Sequence, residues 1–445
     1  MTQHFSRELN ANEESMEILN LHGGAFNIVT ISKIQGKLDE KIVRQVLDFV
    51  QEELTFLNCR IQEISNRLYF TTSGTEKICL QVIEHCGKNT YLDTVKEELN
   101  EPLSSNKTLI RCLIVYEERK LNYCYLITTI HHAICDAISC VHLHSEMLNC
   151  YNKIKQNEPL NYRQAKVLGS LTEFMPQYVL GISAKIKTLL FIAKTSAKLW
   201  FYSPEKIKQE EYLPLKQRQC GITQRKLDSI ITKKLIATSR QELITVQPVI
   251  CAAMLIAVAN QIKKEQKLHT KINVSCRTYV DLRRRIEPSI PSNQLGCLVS
   301  SLTSFHSLTS SILFWDLAKE CSQKIKQELQ QKSYFPAFIL FRKRIVEHYL
   351  KKPDDYPLTL DVSNIGDLKI KKDYGSFQLE EISFIPSNPI FGRILTVAVS
   401  TFSDKMILNF VASIPSVSQA TLESIANDVI DCLIAELAAK KYDKQ

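Results

Sequence analysis

"TTIHHAICDAISC", residues 128–140, joins two kinds of periodicity. Upstream of the histidines, "LNYCYLITTI" is rich in Leu, Ile and Tyr, the composition of a strand, and it runs straight into His131. Downstream of Asp136, the positions Ile138, Val141, Ser145 and Leu148 step by 3, 4 and 3. That is one face of a helix. Asp136 falls at the helix start, where free amides and the helix dipole favour a carboxylate. The stretch therefore predicts a strand–turn–helix junction that carries two histidines and an aspartate.

Neighbours in a strand point to opposite faces. His131 and His132 are then expected to divide: one faces the active space, the other packs within its own domain. This argues against a two-histidine metal site. His142 and His144 add little, since residues two apart on a helix diverge by roughly 200°. No metal site is expected. A histidine facing a cavity can take a proton from a hydroxyl or amine near neutral pH and later return it. Asp136 could help by orienting it or by holding the turn. The plainer alternative, two satisfied core histidines, is disfavoured by the aspartate at the elbow. No G-x-S-x-G elbow is present, so a covalent serine has no support. Cys135 reads as a small buried residue.

Outward from this junction, "TLIRCLIVY" and "LNYCYLITTI" flank the polar turn EERK and read as a hairpin. "FNIVTISKIQG" reads as a strand ending at Gly36. It is followed by a helical stripe of Ile42, Val43, Val46, Leu47, Val50 and Leu54. In the second half a helix is expected over "PVICAAMLIAVANQI" (248–262), with proline in its first turn. Strands are expected at "KINVSCRTYV", "TLDVSNIG", "ILTVAVSTF" and "KMILNFVAS". The final helix carries Leu422, Ile425, Val429, Leu433 and Leu437. Each half mixes strands and helices, an α/β chain.

At 445 residues the chain exceeds one ordinary core, because single cores stop growing at about 250–300 residues. Two domains are expected: residues 1–165, carrying the histidines, and residues 219–445. Residues 166–218 form a crossover that ends in the polar, Pro-containing "SPEKIKQEEYLPLKQRQ". Within it, "YVLGISAKIKTLLFIAKTSAKLWFY" (178–202) is apolar but interrupted by lysines. On a helix Lys187, Lys194 and Lys198 fall within about 40° of one another. This is either a packed crossover or lid helix, or a basic amphipathic surface that touches lipid or an acyl carrier.

The charge balance of 56 Lys plus Arg against 47 Asp plus Glu is mildly basic, +9. It suits an acidic partner such as coenzyme A phosphates, a carrier protein or a lipid surface. Nucleic acid is not expected, since no basic block or nucleic-acid motif accompanies the charge. The 14 cysteines contain no Cys-x-x-Cys pair. With a polar start, "MTQHFSRELNANEES", and no signal peptide in it, they read as reduced thiols in a cytoplasm. No 18-residue uncharged apolar run exists, so no membrane span is expected.

"HHAICDA" resembles the HHxxxDG motif of the condensation-domain and coenzyme A-dependent acyltransferase superfamily. That superfamily includes chloramphenicol acetyltransferase, plant and alcohol acyltransferases, wax ester synthases, nonribosomal condensation domains and the polyketide-associated enzymes that make phthiocerol diesters. "YVDLRRRIEPSIPSNQLGCLVS" resembles its V-x-L-R strand end, and "DVSNIGDL" its S-N-x-G segment. The opening strand–helix unit is also similar, so the likeness spans nearly the whole chain. Ala137 departs from the usual glycine.

The resemblance implies two chloramphenicol-acetyltransferase-like domains with mixed sheets, arranged as a V around a tunnel. It implies His132 as general base for an alcohol or amine attacking an acyl thioester, with His131 structural. It implies an Asp136 that turns away from substrate and pairs with an arginine, Arg283 by the V-x-L-R position or Arg277 from "VSCR". Ser363, Asn364 and Gly366 are its candidates for oxyanion or substrate contact, against a simple turn. The expected activity is O-acyl transfer from acyl-CoA or an acyl carrier protein to an alcohol. No cofactor is expected beyond that thioester donor, and a monomer is expected. A free-standing condensation domain forming amides is the alternative, and a non-catalytic binder of a carrier protein a third.

Overall fold

The computed structural model describes residues 5–440 apart from 86–89, 118–121, 161–168, 177–178, 180 and 267–270. Most of the turn EERK lies outside the described residues. In chain order the first half runs β1 (Ser6–Glu8), α1 (Ala11–Gly23), β2 (Asn27–Gln35), α2 (Glu40–Glu53), β3 (Arg60–Ile64), β4 (Arg67–Thr71), β5 (Cys79–His85), α3 (Tyr91–Asn100), β6 (Ile110–Glu117), β7 (Tyr123–His131) and α4 (Ala137–Lys155). The crossover carries α5 (Ile182–Tyr202). The second half runs β8 (Gln219–Leu227), α6 (Ser229–Gln241), α7 (Val246–Gln266), β9 (Lys271–Asp281), β10 (Val299–Thr309), α8 (Phe314–Gln330), α9 (Tyr334–Leu340), α10 (Lys343–Lys351), β11 (Leu360–Asp367), β12 (Gln378–Pro386), β13 (Leu395–Phe402), β14 (Lys405–Ile414) and α11 (Gln419–Ala439).

Two mixed sheets organise these elements. One has the order β12-β2-β7-β6-β5 and the other β10-β9-β11-β13-β14-β8. A small third sheet, β1-β4-β3, flanks the first. The hairpin of β6 and β7 is antiparallel, from Ile110 opposite Ile130 to Tyr116 opposite Cys124. β5 lies parallel to β6 and reaches it through α3, a βαβ crossover.

β12 does not follow the order of the chain. It leaves the second half and pairs antiparallel with β2, so the first sheet is completed by residues 378–386. The first core accordingly contains Phe377, Leu379, Ile382 and Phe384 beside Ile28, Val46 and Leu126. The two halves are thus joined by a shared sheet as well as by the crossover.

The second core forms around α7. Leu255, Val258 and Ile262 of that helix are fully buried against strands on one side and α8 and α11 on the other. A helix buried on all sides reads as apolar all round. By length and composition α7 could cross a membrane, but 67% of its apolar window is buried inside the fold, as the central core helix. Truncating Leu255 to Ala would cost about 2–5 kcal/mol through the cavity left behind.

Candidate active site

β7 ends at His131, and the chain turns through His132–Cys135 before α4 begins. Asp136 is the N-cap of α4: its Oδ1 accepts from the Ser139 amide at 2.9 Å, satisfying one of the free donors of the first turn. Ala137 is the first residue of the helix, a position that alanine fills without strain.

The two histidines part company, with His132 already in the turn one residue beyond β7. His131 is fully buried, with Nε2 2.9 Å from Glu17 Oε2 of α1. Its Nδ1 accepts from the Ala133 amide at 3.1 Å, so in the neutral ring the proton sits on Nε2. Ser105 donates to the other oxygen of Glu17 at 2.5 Å. This is a structural knot beneath the turn.

His132 faces the cleft between the two sheets. Its ring stacks on Phe26 with centroids 5.5 Å apart and planes at 19°. Its Nδ1 is 2.9 Å from the carbonyl oxygen of Cys135. A carbonyl only accepts, so Nδ1 carries the proton and Nε2 keeps its lone pair. Burial, partly offset by this carbonyl and by the Asp136 charge, lowers its pKa below the usual histidine value. The ring is therefore a neutral base at pH 7. Cys297 Sγ lies 3.8 Å from Nδ1, and burial pushes that thiol far above the ordinary cysteine range.

Asp136 turns away from this base. Arg283 Nη1 donates to its Oδ2 at 2.8 Å and Nη2 to its Oδ1 at 3.0 Å. The Leu298 amide adds a bond to Oδ2 at 3.0 Å and the Ser139 hydroxyl one to Oδ1 at 3.0 Å. Burial alone would raise this carboxyl's pKa, but the Arg283 guanidinium and the amide donors hold it below the usual carboxylate value. Arg283 is itself fully buried and also reaches Asp281 at 3.1 Å. The start of α4 is thereby clamped to the loop between β9 and β10.

Arg277, the second candidate partner, is engaged elsewhere. Its Nε and Nη2 each donate to Asp361 at 2.7 Å, and Nη1 donates to the Tyr356 hydroxyl at 2.7 Å. The guanidinium packs against the rings of Tyr279 and Tyr356. Asp361 on the neighbouring parallel strand is the nearer carboxylate, so the pairing of Arg277 with Asp136 is corrected.

The cleft, of about 270 Å³, brings His132, Arg277, Arg283, Ser363 and Asn364 together with Phe26, Tyr279, Phe384 and Phe391. Between Asn364 and Asp367 the pairing of β11 with β13 takes in one extra residue. Gly366 supplies the positive φ, 76°, that this bulge needs. Its amide donates to Asn364 Oδ1 at 2.8 Å, which makes the segment an Asx turn and leaves Gly366 out of the cleft lining. Among the described residues neither Asn364 Nδ2 nor the Ser363 hydroxyl has a hydrogen-bond partner.

His144 is buried between the hydroxyls of Ser32 at 2.8 Å and Thr128 at 2.7 Å, and burial lowers its pKa to about 3. His142 is half-buried and also lowered, by burial and then by Arg283. Among the described residues no group of three His, Cys, Asp or Glu is arranged to hold a metal ion.

Residues that sequence reasoning missed are Glu17, Phe26, Tyr279, Cys297 and the end of β12. None of them belongs to a local pattern. Among the described residues, none of α5 lines the cleft that holds His132.

A family model described as Condensation domain matches residues 15–168. One described as Phthiocerol/phthiodiolone dimycocerosyl transferase C-terminus matches residues 216–411. No curated protein matches the sequence. Among solved structures the chain is similar to the TRI3 trichothecene 15-O-acetyltransferase from Fusarium sporotrichioides, with a TM-score of 0.74, 12% identity, and 96% of this chain and 95% of that chain covered. Polyketide synthase associated protein 5 from Mycobacterium tuberculosis gives a TM-score of 0.67 at 13% identity, over 95% and 97% of the two chains. The first condensation domain of the calcium-dependent antibiotic synthetase gives 0.71 at 13% identity, over 96% and 95%. At such identities these likenesses show a shared two-lobed fold.

Proposed function

We propose that this chain is a member of the condensation-domain and coenzyme A-dependent acyltransferase superfamily, a reading supported by the two family models, and that it is an O-acyltransferase. It moves an acyl group from a thioester, on coenzyme A or a carrier's phosphopantetheine, to an alcohol. The observation that carries the reading is the His132 tautomer. With Nδ1–H committed to the Cys135 carbonyl, Nε2 is the free proton acceptor at the wall of the cleft.

The acceptor hydroxyl gives its proton to His132 Nε2 as its oxygen attacks the thioester carbonyl. The tetrahedral oxyanion takes a donor from Ser363 or Asn364, neighbours on β11 that both line the cleft. Collapse breaks the carbon–sulfur bond, and the departing thiolate recovers the proton from the imidazolium. Phe26 and the Cys135 carbonyl keep the ring in one orientation throughout. Asp136 acts through the backbone: clamped by Arg283, it fixes the turn that carries the base and takes no proton.

The N-terminal match to a condensation domain supports a second reading, in which an amine attacks and an amide forms. Purified protein incubated with mixed acyl-CoAs, alcohols and amines, read by mass spectrometry, separates the two. Ester products that require His132 support the first reading, and amides alone would support the second. If no thioester is consumed with CoA or carrier-bound donors, the chain is not a transferase of this kind.

A further inference from the structure

α5 presents a row of large apolar side chains to solvent. Ile186, Leu189, Leu190, Trp200 and Phe201 are all exposed, Leu189 by 65%, Phe201 by 71% and Trp200 by 85%. At about 100° per residue these five, with Ala193 and Ala197 between them, form a stripe about 120° wide and four turns long. Contiguous apolar surface of this kind is rare on a protein with nothing to cover it and marks an interaction site.

The side of α5 that faces the body is mixed: Phe191, Leu199 and Tyr202 are half-buried there with Thr188, Thr195 and Lys198, and the Tyr202 ring lies 5.5 Å from that of Phe305. Lys198 Nζ donates to Glu328 Oε1 at 2.7 Å, and Lys194 donates to Gln331. Both partners lie at the C-terminal end of α8. Two of the lysines are thus anchors, and the exposed apolar stripe lies on the side of the helix away from the body. Lys185 and Lys187, both exposed, fall about 100° to either side of the stripe's centre, about 40° beyond its edges, at its N-terminal end. The helix carries four lysines and no acidic residue.

We propose that α5 is a membrane-docking helix that lies in the surface of an anionic bilayer, its apolar stripe among the acyl chains. The charge identifies the occupant. Lysines beside an apolar stripe meet acidic headgroups favourably, and Trp200 has the amphipathic ring suited to that depth. A second copy of the same helix would set lysine against lysine, and an acidic carrier would gain little from the apolar residues. Binding at this face does not depend on the transfer reaction, so its test and that of the proposed activity are separate.

The test uses the intact chain with vesicles of phosphatidylcholine, alone or mixed with phosphatidylserine, read by flotation and by tryptophan emission. The chain has two tryptophans, and Trp315 is buried, so in a Trp315→Phe variant the emission reports Trp200. The expected result is flotation with the phosphatidylserine vesicles and a blue shift of Trp200. Both should weaken in high salt and on phosphatidylcholine alone. Joint Leu189→Ser, Trp200→Ser and Phe201→Ser changes should abolish flotation without lowering the melting temperature, because these side chains contact solvent. Lys185→Gln with Lys187→Gln should weaken binding to the anionic vesicles by roughly fivefold per lysine. This second variant keeps the test open if the first fails to fold. No flotation and no blue shift would overturn the proposal. So would dimerisation without vesicle binding that the serine variant abolishes, or binding of an acidic acyl carrier protein but not of vesicles.

Discussion

Asp136 and Arg283, 147 residues apart in the chain, meet in a two-point ion pair that ties the start of α4 in the first half to the β9–β10 loop in the second. Both are almost completely buried, so neither charge has water as an alternative partner. Removing one partner strands the other, at about 3–5 kcal/mol. Asp136→Asn and Arg283→Gln should each destabilise strongly, and the double variant by less than their sum. Contacting residues couple by about 0.5–3 kcal/mol, read from urea unfolding in a double-mutant cycle. Arg277→Gln should be additive with Asp136→Asn, and coupling of that pair instead would contradict the observed pairing.

The Glu17–His131 contact predicts a stability phenotype. Glu17→Gln keeps the shape and the bond from Ser105 but removes the carboxylate charge 2.9 Å from His131 Nε2. A loss of about 1–3 kcal/mol is expected from the weakened buried contact. Transfer per folded molecule should stay near wild type. A stable but inactive Glu17→Gln protein would mean that His131 reaches the reaction after all.

His132 sets the pH profile. Its pKa is lowered chiefly by burial, so the free base persists below the usual histidine range. The acidic limb of kcat/KM should therefore lie below about pH 6.5, with a plateau through neutrality. Asp136, lower still, contributes no limb there. An acidic limb above pH 7 would show that His132 is stabilised as imidazolium and would remove it as the base.

His144 sets part of the acid sensitivity. Its folded pKa, about 3, lies below the unfolded value. The unfolded chain therefore binds a proton that the folded chain refuses, and stability falls as pH drops from about 6.5 toward 3, by up to about 1.4 kcal/mol per pH unit. A His144→Gln variant should lose less stability than wild type between pH 7 and 5 in denaturant titrations. Parallel curves would show that His144 does not titrate on unfolding.

Asn364 and Ser363 make a kinetic prediction. If they serve the oxyanion, Asn364→Ala should lower kcat about 10²–10³-fold with little change in KM, the pattern of a contact made only in the transition state. Ser363→Ala should show the same pattern if its hydroxyl is the donor that is used. A change confined to KM would make them ground-state contacts.

The junction at residues 128–140 was legible because the apolar period changes within a few residues, and the division of the histidines was expected from strand alternation. Arg283 came only from resemblance, since an ion pair across 147 residues leaves no trace in spacing. The Cys135 carbonyl and the Phe26 ring, which orient His132, were not legible: a backbone acceptor has no side-chain signature, and stacking across β2 and the turn is tertiary. β12 was missed because local pattern says nothing of which sheet a strand joins. α5 was legible as amphipathic but not in its orientation. A helical wheel gives two faces, and only packing against Glu328 and Gln331 shows which one is turned inward.

The central claim is that His132 Nε2 accepts the acceptor's proton, and single-turnover transfer by a His132→Ala variant tests it most directly. Once the ester-forming donor and acceptor are identified, the variant is mixed in excess with the acyl thioester and alcohol, and ester formation is followed by quenched-flow mass spectrometry. Its unfolding midpoint is measured alongside. The account predicts a folded protein of near wild-type stability whose transfer rate falls about 10²–10⁴-fold, the loss of one acid–base group. A folded variant that transfers within a few-fold of wild type would contradict it.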